Sequence, residues 1–71
     1  MKLTIKQSLE KAIVAHKEGK LRDAEILYRD ILKSQPLHPD ANHNLGLLLL
    51  SVDKVNLALP VFKTALEANP R

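Results

Sequence analysis

Leu21-Arg22-Asp23-Ala24-Glu25-Ile26-Leu27-Tyr28-Arg29-Asp30-Ile31-Leu32 returns 34 residues later as Val55-Asn56-Leu57-Ala58-Leu59-Pro60-Val61-Phe62-Lys63-Thr64-Ala65-Leu66. Ala24 falls on Ala58 and Leu32 on Leu66, with Lys20 on Lys54 and Pro36 on Pro70 outside the stretch. Between the identities the residue classes agree: Leu21 with Val55, Leu27 with Val61, Tyr28 with Phe62, Arg29 with Lys63. Further back, Ala12-Ile13-Val14 falls on Gly46-Leu47-Leu48 with no gap. A fixed internal period is the mark of stacked, like-folded units.

Each half reads as two helices. Thr4-x-x-Gln7 has the form of a capping box, and the helix it opens runs to about Glu18, where Gly19 suits a C-cap. Leu21, Ala24, Leu27, Tyr28, Ile31 and Leu32 recur at three-four spacing and give the second helix, which Ser34-Gln35-Pro36 ends. Pro39 suits the first turn of the third helix, because its missing N–H has no intrahelical partner there. Ala41, Leu45, Leu48, Leu49 and Val52 form its expected buried stripe. Asp53-Lys54 makes the next turn, and Asn56 is placed to cap a fourth helix with Val55, Ala58, Phe62, Ala65 and Leu66 inward. Pro60 predicts a loosened first turn rather than a break. Asn69-Pro70 closes the second unit.

A 34-residue period, two helices per unit and this order of residues resemble the tetratricopeptide repeat, whose pattern is W-x2-L-G-x2-Y, then A-x3-F, then P. The second unit carries Asn42-x2-Leu45-Gly46-x2-Leu49, Ala58-x3-Phe62 and Pro70; the first carries Ser8-x2-Lys11-Ala12-x2-Ala15, Ala24-x3-Tyr28 and Pro36. The resemblance implies an all-α fold: two helix-turn-helix hairpins, four antiparallel helices, a short right-handed solenoid fragment. It spans one module over residues 1–71, with repeat 1 at about 5–38 and repeat 2 at about 39–71. In that frame Ala12, Ala24, Gly46 and Ala58 are small where the helices of a hairpin cross closely. Tyr28 and Phe62 fill the wedge between a hairpin and the next helix.

Composition narrows the field. The 71 residues hold 11 Lys plus Arg against 8 Asp plus Glu, a formal charge of +3, and no cysteine. Disulfides and thiolate metal sites are excluded. With 45% hydrophobic residues and mixed charges a disordered tail is not expected. No apolar run approaches the roughly 20 residues that span a bilayer, and Met1-Lys2-Leu3-Thr4-Ile5-Lys6-Gln7 lacks a signal peptide's apolar stretch. A cytoplasmic location is the expectation. Tyr28 and Phe62 are the only aromatics, so aliphatics and alanines must fill the core, and marginal stability alone is expected.

Where the chain departs from the repeat pattern, the two ends differ. Ser8 and Lys11 stand where Trp and Leu are usual, which suits a first helix with no preceding repeat to cover it. With Met1 in place that end reads as natural. At the other end Phe62, Ala65 and Leu66 lack a following helix, and only Arg71 remains beyond Pro70. Copies of the chain stacking there, or a longer parent protein, are the two expected ways of covering them.

The resemblance implies a ligand face built from the first helix of each repeat. By position this gives Lys6, Leu9, Glu10, Ile13, His16 and Lys17, then Asp40, His43, Asn44, Leu47, Leu50 and Ser51. Leu9, Ile13, Leu47 and Leu50 lie outside the buried stripes. With His16, His43 and Asn44 they make an apolar groove suited to a peptide with aliphatic anchors; the alternative is that a neighbouring chain or segment covers them. In one subgroup of the family a Lys, Asn and Arg clamp grips chaperone C-termini. Asn44 matches one clamp position, but Leu9 and Ile13 replace others, so the clamp is not formed here.

Other chemistry finds little footing. His38 and His43 are five residues apart, not the four that put two imidazoles on one helical face, and His16 is on another helix; no metal or cofactor is expected. His16 and His43 are instead candidates for making peptide binding pH-dependent near pH 6–7. Ser8, Ser34 and Ser51 lack a nucleophile elbow, Gly19 and Gly46 make no phosphate loop, and charges pair along helix faces, as Lys6 with Glu10. The chain is not expected to be an enzyme. A sequence pI near 9.5 suggests nucleic acid, but Lys17-Glu18, Arg22-Asp23 and Arg29-Asp30 alternate charge and no aromatic is spare for stacking on bases. Residues 57–70, with Tyr28–Leu32 and Pro36–Ala41, also resemble bacterial arrays that precede glycosyltransferase or sulfotransferase domains, which implies a substrate-recruiting or dimerising arm.

The sequence thus leads to a protein-interaction scaffold with two surfaces. Leu9, Ile13, His16, His43, Asn44, Leu47 and Leu50 would hold a peptide or protein partner. Phe62, Ala65 and Leu66 would self-associate into a homo-oligomer by repeat stacking. The rival is a purely structural cap of a longer solenoid.

Overall fold

Helices α1 (Ile5–Lys17), α2 (Leu21–Ser34), α3 (Pro39–Ser51) and α4 (Val55–Ala68) make up the computed structural model, which describes residues 3–68. Among these residues there is no strand. Both ends of α1 recur 34 residues on in α3, and both ends of α2 in α4. The sequence period is therefore also the period of the backbone. The readings placed on Met1, Asn69-Pro70 and Arg71 lie outside the described residues.

Each start has its own local cause. The Gln7 backbone N–H donates to Thr4 Oγ1 at 3.1 Å, and the Thr4 N–H donates to Gln7 Oε1 at 3.0 Å, closing the expected capping box. Pro39 takes the first position of α3, and the Ala41 N–H donates to His38 Nδ1 at 3.1 Å. His38, weighed from sequence only as a metal ligand, is half-buried and serves as this cap. Asn56 does not cap α4: it lies inside the helix, and the Lys54 carbonyl accepts from Leu57 and Ala58 at 3.1 and 3.0 Å. Helix α4 runs on through Pro60 unbroken.

The two hairpin turns are one motif used twice. After α1, Gly19 N–H donates to His16 O at 3.1 Å and Lys20 N–H to Ala15 O at 2.8 Å, with Gly19 at φ 79°. After α3, Asp53 N–H donates to Leu50 O at 3.0 Å and Lys54 N–H to Leu49 O at 2.8 Å, with Asp53 at φ 61°. Both are Schellman turns, which need a left-handed residue just past the helix. Glycine adopts it freely; aspartate does so against a steric cost.

Helix α1 packs on α2, α2 on α3 and α3 on α4, while α1 only brushes α3 and α4 meets α3 alone among the described residues. The core is built from Ala12, Ala15, Ala24, Tyr28, Leu45, Leu48, Leu49 and Ala58. Helix α3, flanked on both sides, buries six residues, whereas α1 buries Ser8, Ala12 and Ala15. Three sequence readings are corrected. Val52 and Val55, assigned to buried stripes, are exposed, because they flank the turn where the chain leaves α3 for α4. Ser8, expected as an exposed polar residue on an uncovered helix, is buried, since it lies on the side of α1 with Ala12 and Ala15. The ion pairs that form are Glu18–Lys20, Glu25–Arg29 and Asp30–Lys33, not Lys6–Glu10.

The equivalence of the turns sets a test. Asp53→Gly should raise stability by up to about 1 kcal/mol and Gly19→Ala should lower it by about 1–2 kcal/mol, measured by urea melts. Equal, near-zero effects would show that the two turns are not strained as their φ values imply.

Candidate functional site

The 34-residue equivalence makes each side chain of α4 comparable with its counterpart on α2. Ala24 and Ala58 are both fully buried. The counterparts then diverge. Tyr28 is 0% exposed, while Phe62 is only half-buried; Ile31 is buried, while Ala65 is half-buried. Leu32 is half-buried, while Leu66 is 62% exposed. Helix α3 lies against α2, and no described helix lies in that place against α4.

Phe62 is held from one side. Its ring lies on the backbone of Gly46, so close that a Cβ there would stand 2.6 Å from its Cε1 and 2.7 Å from its Cζ. The His43 ring meets it edge-on at 5.8 Å between centroids. Beyond the ring opens a hollow of 410 Å³ lined by Pro39, Asp40, His43, Phe62, Ala65 and Leu66. Phe62, Ala65 and Leu66, expected from sequence to self-associate, thus come together with His43, which sequence had assigned to the other surface.

In the first hairpin the aromatic ring also meets an imidazole, but one from a different position of the repeat. His16 meets Tyr28 edge-on at 6.2 Å, and its Nδ1 lies 3.4 Å from the Tyr28 hydroxyl. Burial pushes the Tyr28 phenol above its usual range, because the phenolate would lose water around its charge. His16 is therefore partly engaged inside its own hairpin.

The remaining groove residues are less gathered. Leu9 packs against the core cluster rather than standing surplus to it. Ile13 and Asn44 are half-buried; Leu47 and Leu50 are exposed on α3. None of Leu9, Ile13, His16, Asn44, Leu47 or Leu50 lines the hollow beside Phe62.

Sequence reading missed Asn42. It is buried, and its Nδ2 donates to Pro36 O at 3.0 Å and to His38 O at 3.1 Å, fastening the α2–α3 connection to α3. Its signal was a polar residue one helical turn before Leu45 and Gly46, on their buried side.

Among the described residues no group of three His, Cys, Asp or Glu is placed to hold a metal ion. Among the same residues no helix is long and apolar enough to cross a membrane. No family model, curated protein or solved structure matches the chain.

The contact of ring and glycine gives a double-mutant test. Gly46→Ala should cost about 1–3 kcal/mol by forcing the Phe62 ring aside. In Phe62→Leu the same change should cost less, leaving a coupling of at least about 0.5 kcal/mol. Additive effects in thermal or urea melts would refute the contact.

Proposed function

We propose that the chain is a tetratricopeptide-type module of two repeats, a short right-handed solenoid whose work is to bind other protein. Its principal surface is the uncovered side of α4. One observation carries this reading: Tyr28 and Phe62 are equivalent, yet the first is shut in by the next helix and the second is not. The shared 34-residue spacing of helix ends and the small-against-large pair of Gly46 and Phe62 support the family reading.

The surface selects a helix. The place on α4 corresponds to the one that α3 fills on α2, and α3 presents Ala41, Leu45 and Leu48 as buried apolar side chains. An occupant with that pattern would remove Leu59 and Leu66, both more than half exposed, from water. A second reading rests on Leu47 and Leu50. Their exposure on α3 favours an aliphatic peptide along the first helices of the two repeats, with Leu9, Ile13, His16, His43 and Asn44 beside it.

Appending a copy of residues 38–51 behind Arg71, which continues the 34-residue period, should raise the melting temperature by at least about 4 °C. The same extension with Lys at the positions copied from Leu45 and Leu48 should not. If both extensions act alike, the uncovered side of α4 does not accept a helix. For the second reading, Leu47→Asp with Leu50→Asp should abolish binding of aliphatic peptides while the circular dichroism stays helical; unchanged binding would remove the groove.

A further inference from the structure

We propose that the occupant of the uncovered face is a second copy of the same face, with two α4 helices packed antiparallel about a two-fold axis. This rests on the reading that α4 carries the working surface, and it names the partner and its orientation. Val55, Leu59, Phe62 and Leu66 fall on one stripe of α4, and Val55, Leu59 and Leu66 are well exposed. Their spacing is four, three, four, which reads the same in both directions. An antiparallel copy therefore sets Val55 against Leu66 and Leu59 against Phe62, twice over, as an isologous interface requires.

The charges do not oppose that direction. Helix α4 has no acidic residue in its first turn and no basic residue in its last, and Glu67 stands at its carboxyl end. Alone, that places an anion where the helix dipole disfavours it. In the antiparallel pair Glu67 and the other copy's Lys54 share an axial level but stand on opposite flanks, each about 110° round α4 from the stripe, so neither charge is drawn into the apolar contact. Both residues are exposed.

Head-to-tail stacking, with α1 of one copy on α4 of the next, fits less well. Gln7, Lys11 and Val14 occupy the positions on α1 that Ala41, Leu45 and Leu48 occupy on α3. Lys11 would bring an ammonium with no described ion-pair partner into an apolar contact, which is costly.

The chain has no cysteine, so single Val55→Cys and Leu66→Cys variants report directly. Each is checked by circular dichroism for an unchanged helical spectrum, and both positions are exposed. Oxidised as a mixture, they should give a disulfide-linked heterodimer; oxidised alone, each should stay uncrosslinked. Like positions in the antiparallel pair lie about 16 Å apart along the axis, beyond the roughly 7 Å between Cα atoms that a disulfide spans. Homodisulfides of Val55→Cys would show a parallel pair and overturn the proposal. A mass that rises with concentration in light scattering, without the mixed crosslink, would overturn the antiparallel arrangement but leave the working surface in place. A strict monomer that the appended helix still stabilises would overturn the second copy and keep the surface. A monomer that the appended helix does not stabilise would remove both.

Discussion

An aromatic ring seated on a small residue and closed over by the next helix is the contact on which this arrangement depends. In the first hairpin the terms are all met. Tyr28 lies in a cluster with Ala12 and Ala24 from its own hairpin and Leu45, Leu48 and Leu49 from α3. Its ring brings a large apolar area out of water, and His16 satisfies its hydroxyl. The second hairpin keeps the first two terms, with Phe62 on Gly46 beside Ala58, and lacks the third.

The fold was legible where its cause is local. Four helices follow from Thr4-x-x-Gln7, Gly19, Pro39 and three-four apolar spacing, all of which act within a few residues. Burial was less legible, because it depends on which helix lies alongside. Val52 and Val55 fit the phase of their helices yet stand at a turn, where neighbours cover them only in part. Ser8 looked like a solvent residue by type, but its position one turn before Ala12 puts it at the α1 interface. The amide of Asn42 and the imidazole of His38 both serve the α2–α3 connection through bonds to backbone groups. Residue type alone does not announce such bonds, since any nearby carbonyl or N–H can be the partner.

The candidate surface was legible in part for the same reason. Phe62, Ala65 and Leu66 stood out because their counterparts Tyr28, Ile31 and Leu32 have a following helix to lie under, and that comparison needs only the repeat. The place of His43 was not available from it. Its counterpart is Leu9, an aliphatic packed on the core, so nothing in the first unit foretells an imidazole against Phe62. The groove on the first helices was drawn from family likeness and phase, and phase does not say how far α1 and α3 stand apart.

The distribution of apolar surface is uneven, and the unevenness has a thermodynamic consequence. On α1 the one large apolar side chain well exposed is Val14; on α4 there are Val55, Leu57, Leu59 and Leu66. A helix that is apolar on most of its circumference is ordinarily enclosed, yet among the described residues α4 leans on α3 alone. The second hairpin therefore gains less from folding than its composition allows, and it is the part of the chain most responsive to whatever covers it. Any occupant that binds the folded face and not the unfolded chain stabilises the hairpin by mass action. Binding at α4 and folding of the second repeat are in that sense one equilibrium. Leu57 lies on another side of α4 from the Val55–Leu66 stripe, so a single occupant of that stripe leaves it in water. Even a covered α4 keeps one apolar edge, and Asn56, Lys63 and Glu67 are the polar residues that divide it from the stripe.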